Sequence, residues 1–215
     1  WNPTGTARVS GLAYAAVLPA IRRAIADAQA DFGIVGRLLP AIDREAGAAA
    51  AMEMLQWVLE HRADEVPGIG IDYRENERPP ELFVEAYALA RQNGLKTTAH
   101  ASEFGLPWNN LQTAIETLKV DRVDHGYTVT DNPELARRCA DLGIVFTVVP
   151  TNSYYLRTLA PERWALDHPI RQMPSMGIRI HPNTDDPTLH HVNPTGAWTK
   201  MVSDFGFSMA DLRDF

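Results

Sequence analysis

Three short stretches hold side chains whose types and spacing could do chemistry. His100-Ala101-Ser102-Glu103 closes a run that begins at Lys96. A neutral imidazole can bind a divalent metal, and a glutamate three residues on can carry a proton. Arg122-Val123-Asp124-His125-Gly126 brings a second histidine, and Asn183-Thr184-Asp185-Asp186-Pro187 brings two adjacent carboxylates. Each stretch alone has an ordinary reading: a solvated His–Glu pair, a satisfied half-buried imidazole, an Asx turn before proline. At strand ends they say more, because neighbouring side chains point different ways and one aspartate can ligate a metal while the next faces a ligand. Two adjacent anions at a half-buried rim also call for a cation, which a metal supplies. His100, Glu103, His125, Asp185 and Asp186 thus offer nitrogen and oxygen metal ligands, a proton shuttle, a second base and a hydrogen-bond acceptor. Zinc among such ligands lowers the pKa of a bound water to about 7. The inventory suits hydrolysis of a C–N bond.

These residues need elements to position them. Apolar positions at helical spacing predict helices over 14–30, 48–62, 80–92, 111–119, 133–142, 170–176 and 194–206. Short apolar runs predict strands over 33–39, 68–72, 97–100, 122–125, 144–149 and 178–181. Strands alternating with helices imply right-handed βαβ units and a parallel sheet. A doubly wound sheet would carry a glycine-rich strand-to-helix turn, and none is found. Polar residues instead gather where strand after strand ends: 72–75, 100–103, 124–125, 150–152 and 185–186. A ring of chemistry at successive C-terminal strand ends is how a TIM (β/α)8 barrel builds its site. The expectation is an α/β chain, one partial metal-dependent hydrolase domain over residues 1–215, with the first strand and most of the second missing. The start at Trp1 and the stop just after the helix start at Ser208 fit that reading.

The bulk composition agrees. The chain has 215 residues, is 45% hydrophobic and 22% charged, and carries a net charge of −7. Such a balance argues against a nucleic-acid or membrane surface, since a phosphate-binding face needs clustered Lys and Arg. No apolar run reaches the length of about 18 residues expected of a membrane helix, and the start lacks a signal-peptide pattern. Cys139 is the single cysteine, so neither a disulfide nor a cysteine-rich zinc site can form within the chain. It reads as core filler, and the cytoplasm as the expected location.

The motifs His100-Ala101-Ser102-Glu103, Asp124-His125-Gly126, Pro150-Thr151-Asn152-Ser153 and Thr184-Asp185-Asp186-Pro187, in this order on successive strands, resemble the adenosine/adenine deaminase family of the amidohydrolase superfamily. The resemblance spans essentially the whole chain, as strands three to eight. It implies a TIM barrel with one catalytic Zn²⁺ and a small-molecule purine substrate, adenosine or adenine, whose 6-amino group leaves as ammonia. By motif, His100 and Asp185 would be zinc ligands and Glu103 would protonate purine N1. His125 would orient or deprotonate the attacking water, and Asp186 would hydrogen-bond the purine near N7. The rivals are another amidohydrolase acting on a different aminated ring, and a nucleoside-binding barrel without turnover.

Three departures stand out. The family's first-strand His-x-His, two further ligands, is not found here, so these residues alone are expected to be inactive. Ser102 stands where the family usually has glycine, adding a hydroxyl with the backbone expected to be unaffected. In place of Gly-Asp-Glu after the next-earlier strand comes Asp72-Tyr73-Arg74-Glu75-Asn76-Glu77-Arg78-Pro79-Pro80, whose Glu and Pro-Pro resemble the adenine deaminase branch. Arg74 there either faces an anionic or unusual substrate or pairs outward with Glu75 or Glu77. His181, four residues before Asp185, reads as pocket lining, His190 and His191 as rim loop, and His61 as a helix C-terminal residue in solvent. Tyr154, Tyr155 and Leu156 read as aromatic and apolar packing.

Overall fold

The structure, a computed structural model, describes residues 1–151 and 159–215. Asn152 and Ser153 of the third motif, with Tyr154, Tyr155 and Leu156, lie outside the described residues. The chain divides into two compact units, Trp1–Ala99 with Thr117–Val120, and His100–Glu116 with Asp121–Phe215.

In the first unit, α1 (Pro3–Ser10) and α2 (Tyr14–Phe32) precede β1 (Ala41–Asp43), α3 (Gly47–Glu60), β2 (Gly68–Asp72) and α4 (Val84–Gln92). Helix α1 starts on the Asn2 side chain, which accepts from the Gly5 N–H, with Pro3 at its first position, and ends at left-handed Gly11. The strand expected over 33–39 is not there. Gly33, at φ +68°, instead closes α2 by donating its N–H to Gln29 O, and Ile34 and Val35 are exposed. The strand is the next segment, where Ala41 pairs with Gly70 and Ile42 with Ile71, parallel to β2. Strand β3 (Lys96–Ala101) pairs parallel with β2 through Gly68↔Lys96 and Ile69↔Thr97. Ile42, Met54, Leu55, Ile69, Ile71 and Phe83 form the buried core of this unit. Tyr87 is buried with them and donates its O–H to Thr98 O at 2.6 Å, so its polar end is satisfied.

The second unit begins with the last two residues of β3 and continues through α5 (Asn109–Glu116), β4 (Arg122–His125), α6 (Pro133–Asp141), β5 (Val145–Val148) and β6 (Arg179–Pro182) to the helix Pro194–Ser203. Strands β4, β5 and β6 are parallel, with Arg122↔Val145 and Val145↔Arg179 in register. The helix expected over 170–176 is two 3-10 turns, Pro169–Arg171 and Pro174–Met176. Pro174 would remove an N–H in mid-helix, which explains the break. Leu111, Val123, Phe146, Ile170, Met173 and Ile180 are the buried core of this unit. Cys139 is buried too, its thiol pushed up to about 12 by desolvation, as core filler should be. Among the described residues no single helix is long and apolar enough to cross a membrane.

Candidate active site

The strand ends of this fold share a backbone feature. Tyr73, Ser102, His125 and Asp185 sit at φ +73°, +58°, +68° and +57°, each at or just after a strand's C-terminal end. Left-handed backbone is costly for residues other than glycine, by about 1 to 3 kcal/mol, and concentrates at functional sites. The Ser102 position is therefore one that glycine would adopt at no cost. The expectation that serine leaves the backbone unaffected is corrected: serine is strained here, and it is fully buried.

In the second unit, the turn after β4 is tied to the end of β3 by Gly126 N–H donating to Ala101 O at 2.8 Å. Gly126 has φ +69°, and a Cβ there would strike the Phe146 ring and lie 3.0 Å from Val123 Cγ1. Glycine is required for this tie. It brings the His100 and His125 rings to 4.7 Å between centroids, edge to face. His125 Nε2 lies 3.8 Å from Glu103 Oε1 and 4.0 Å from Asp185 Oδ2. His100, His125 and Asp185 each offer one ligand atom, and the three atoms all lie within 4.8 Å of one another. Imidazole nitrogen and carboxylate oxygen, gathered at that spacing, are donor types that zinc takes at about 2.0 to 2.2 Å.

The polar surroundings explain the order of the site. Asp124, buried on β4, has Oδ2 3.5 Å from His100 Nδ1 and Oδ1 3.1 Å from Arg122 Nε, and accepts a short hydrogen bond from Thr147 Oγ1. Burial alone would raise its pKa, but the His100 contact, Arg122 and Thr147 outweigh it and hold the carboxyl far below the usual range. On the other side, His125 Nδ1 lies 3.4 Å from the Tyr127 hydroxyl, which accepts from Val149 N–H at 3.0 Å. Burial first, and the neighbouring His100 second, push the His125 pKa well below its ordinary value.

The sequence-predicted residues divide clearly. His100, Glu103, His125 and Asp185 come together; Asp186 follows directly, exposed, at the start of the helix Pro187–His190. Arg74 belongs to the other unit, on the turn after β2, exposed and paired with neither Glu75 nor Glu77. Glu75 is instead buried, with Oε2 3.9 Å from Arg44 Nη1. His181 is exposed and packs its ring on Trp198 at 5.4 Å, so it stays outside the metal-type cluster. His190 is buried rather than on a rim loop, whereas His191 is exposed. His61 stacks on Tyr14 at 5.9 Å.

Sequence reasoning passed over Tyr127 and His168. His168 is fully buried, sits edge-on to the Tyr127 ring at 4.8 Å, and accepts from Ile170 N–H at 3.2 Å. Desolvation lowers its pKa to about 3, so it is neutral in the folded protein. The unfolded chain, with a histidine pKa near 6.5, then binds the proton first as pH falls. Stability from the neutral ring is fully present above about pH 6.5 and is lost as pH drops toward the folded value. His168→Asn keeps an acceptor for Ile170 N–H and cannot titrate. Urea melts at pH 7 and pH 4.5 should show the wild type losing about 2 kcal/mol more than the variant. Equal losses would mean that His168 is hydrated or already charged.

The adenosine deaminase family model matches residues 1–215. An adenine deaminase of Sphingopyxis alaskensis is 35% identical over 87% of this chain and 53% of its own length. An adenine deaminase of Cupriavidus necator is 34% identical over 98% of this chain and 58% of its own. The chain thus spans about half the length of the curated relatives it matches. Among solved structures, an amidohydrolase from Burkholderia ambifaria with bound zinc is 63% identical, with a TM-score of 0.97 over 100% of this chain and 59% of that one. An adenine deaminase from Arthrobacter aurescens is 28% identical, with a TM-score of 0.89 over 97% of this chain and 62% of that one. The α/β strands and helices described above are part of a TIM-type (β/α)8 barrel. With its family model matched from end to end, this chain belongs to the adenosine deaminase family.

Proposed function

We propose that the protein containing this chain is a zinc-dependent hydrolase that replaces the 6-amino group of a purine with oxygen, releasing ammonia, in cytoplasmic purine metabolism. One observation carries the reading: His100, His125 and Asp185 present ligand-type atoms within 4.8 Å of one another, with Glu103 packed against His125. The zinc of the Burkholderia ambifaria structure and the adenine deaminase relatives support it. His100 and Asp185 would hold the zinc, which would supply Lewis-acid activation of a water near neutral pH. Glu103 delivers a proton to purine N1 as water adds to C6, which lets the ring nitrogen accept the displaced electron pair. His125 orients that water and takes its proton. Asp186 accepts a hydrogen bond from the purine near N7. The C6–N bond then breaks as the C6 hydroxyl gives its proton to Glu103 and becomes the carbonyl, and the amino group leaves as ammonia with the proton that His125 took from the water.

Adenine is the first-choice substrate, because the relatives named above are adenine deaminases and the Glu75-to-Pro80 segment resembles that branch. Ammonia release from adenine, adenosine, AMP and N6-substituted adenines, measured with the complete gene product, tests the proposal. Turnover of adenine with kcat/KM at least about 100-fold above adenosine is expected, a factor within reach of a few pocket contacts. Ammonia release from none of the four would overturn it.

A further inference from the structure

Asp124 makes its contacts on both carboxylate oxygens, and they are divided by direction. Oδ1 takes Arg122 Nε at 3.1 Å and the short bond from Thr147 Oγ1, the latter from the neighbouring strand β5. These two fix the rotation of the carboxylate. The other oxygen, Oδ2, is thereby aimed at His100 Nδ1, 3.5 Å away. Adjacent residues of a strand face opposite ways, so Asp124 can reach His100 while His125 faces Glu103 and Asp185. A histidine whose Nδ1–H donates to a carboxylate carries its lone pair on Nε2, with the ring fixed in rotation.

We propose that Asp124 is a positioning residue: through Oδ2 it holds His100 in the Nδ1–H tautomer and orientation that present Nε2 to the metal, and so sets metal affinity. The inference rests on His100 being a metal ligand, as proposed above. Arg122 and Thr147 act behind Asp124, keeping its carboxylate charged and turned.

Asp124→Asn tests it in the zinc-loaded protein from the complete gene. The amide can still accept from Arg122 and Thr147 through Oδ1, but its NH₂ cannot accept from His100 Nδ1–H. The zinc dissociation constant, read by chelator competition, should rise 10- to 100-fold with the far-ultraviolet circular dichroism unchanged. Arg122→Gln is the graded comparison: it removes one of the two contacts behind Asp124 and leaves Thr147, so it should weaken zinc binding clearly less than Asp124→Asn does. Asp124→Asn binding zinc as tightly as wild type overturns the inference, as does equal weakening by the two variants. Should Asp124→Asn not fold, ¹⁵N shifts of His100 in the zinc-free wild type decide: protonation at Nδ1 supports the inference, and protonation at Nε2 overturns it. A wild type that takes up no zinc at all would instead defeat the parent reading of the site.

Discussion

Glu103→Gln should lower kcat by about 1,000-fold while KM and zinc content change less than threefold. That factor corresponds to about 4 kcal/mol of transition-state stabilisation. Glutamine has the size and shape of glutamate, so the buried space that Glu103 fills beside His125 is preserved. On the proposed mechanism, what is lost is the proton that Glu103 delivers to purine N1. The serine before it sits at φ +58°, a costly backbone conformation of the kind that concentrates at functional sites. A kcat within tenfold of wild type would show that the proton reaches N1 by another route. Parallel loss of turnover and binding would make Glu103 a scaffold residue.

Much of this site can be read from the sequence because its residues end well-marked strands. Gly68–Asp72 and Arg122–His125 are found at their expected limits, each a short apolar run closed by a charged or turn residue. Helices α3 and α6 fall within two residues of expectation for the same reason. The run 33–39 misleads, because its apolar side chains follow a glycine helix stop onto the surface, a fact decided by Gly33 and not by hydropathy. Helix α1 carries legible signals in Asn2, Pro3 and Gly11 but almost no apolar stripe to draw attention to them. The residues that support the site are harder to see. Asp124 matters because Thr147 stands on the adjacent strand and His100 across from it; Tyr127 matters because Val149 lies within reach. Such partners are set by strand neighbours, which local sequence does not encode. The same holds for Glu75, whose burial against Arg44 leaves Arg74 without the partner that local charge would assign it.

Asp185→Asn and Asp186→Asn should separate two adjacent carboxylates by what each loses. Asp185 occupies left-handed backbone, which asparagine tolerates as well as aspartate, so the substitution should leave the chain path unchanged. It removes the anion from a cluster whose other two members are imidazoles, the principal charge attraction for a divalent ion there. Zinc affinity should fall by at least about 100-fold, the top of the range for residues that only support a ligand. Activity should then return in part when zinc is supplied in large excess. Asp186 is exposed, at the mouth of the helix Pro187–His190, and is not part of the cluster. Its substitution should leave zinc stoichiometric and raise the KM for the purine by about tenfold, the loss of roughly one charge-assisted hydrogen bond. Metal analysis after dialysis, followed by steady-state kinetics, distinguishes the two. Zinc retained by Asp185→Asn, or lost by Asp186→Asn, would reverse the assignment, and retention by both would move the metal to other residues altogether.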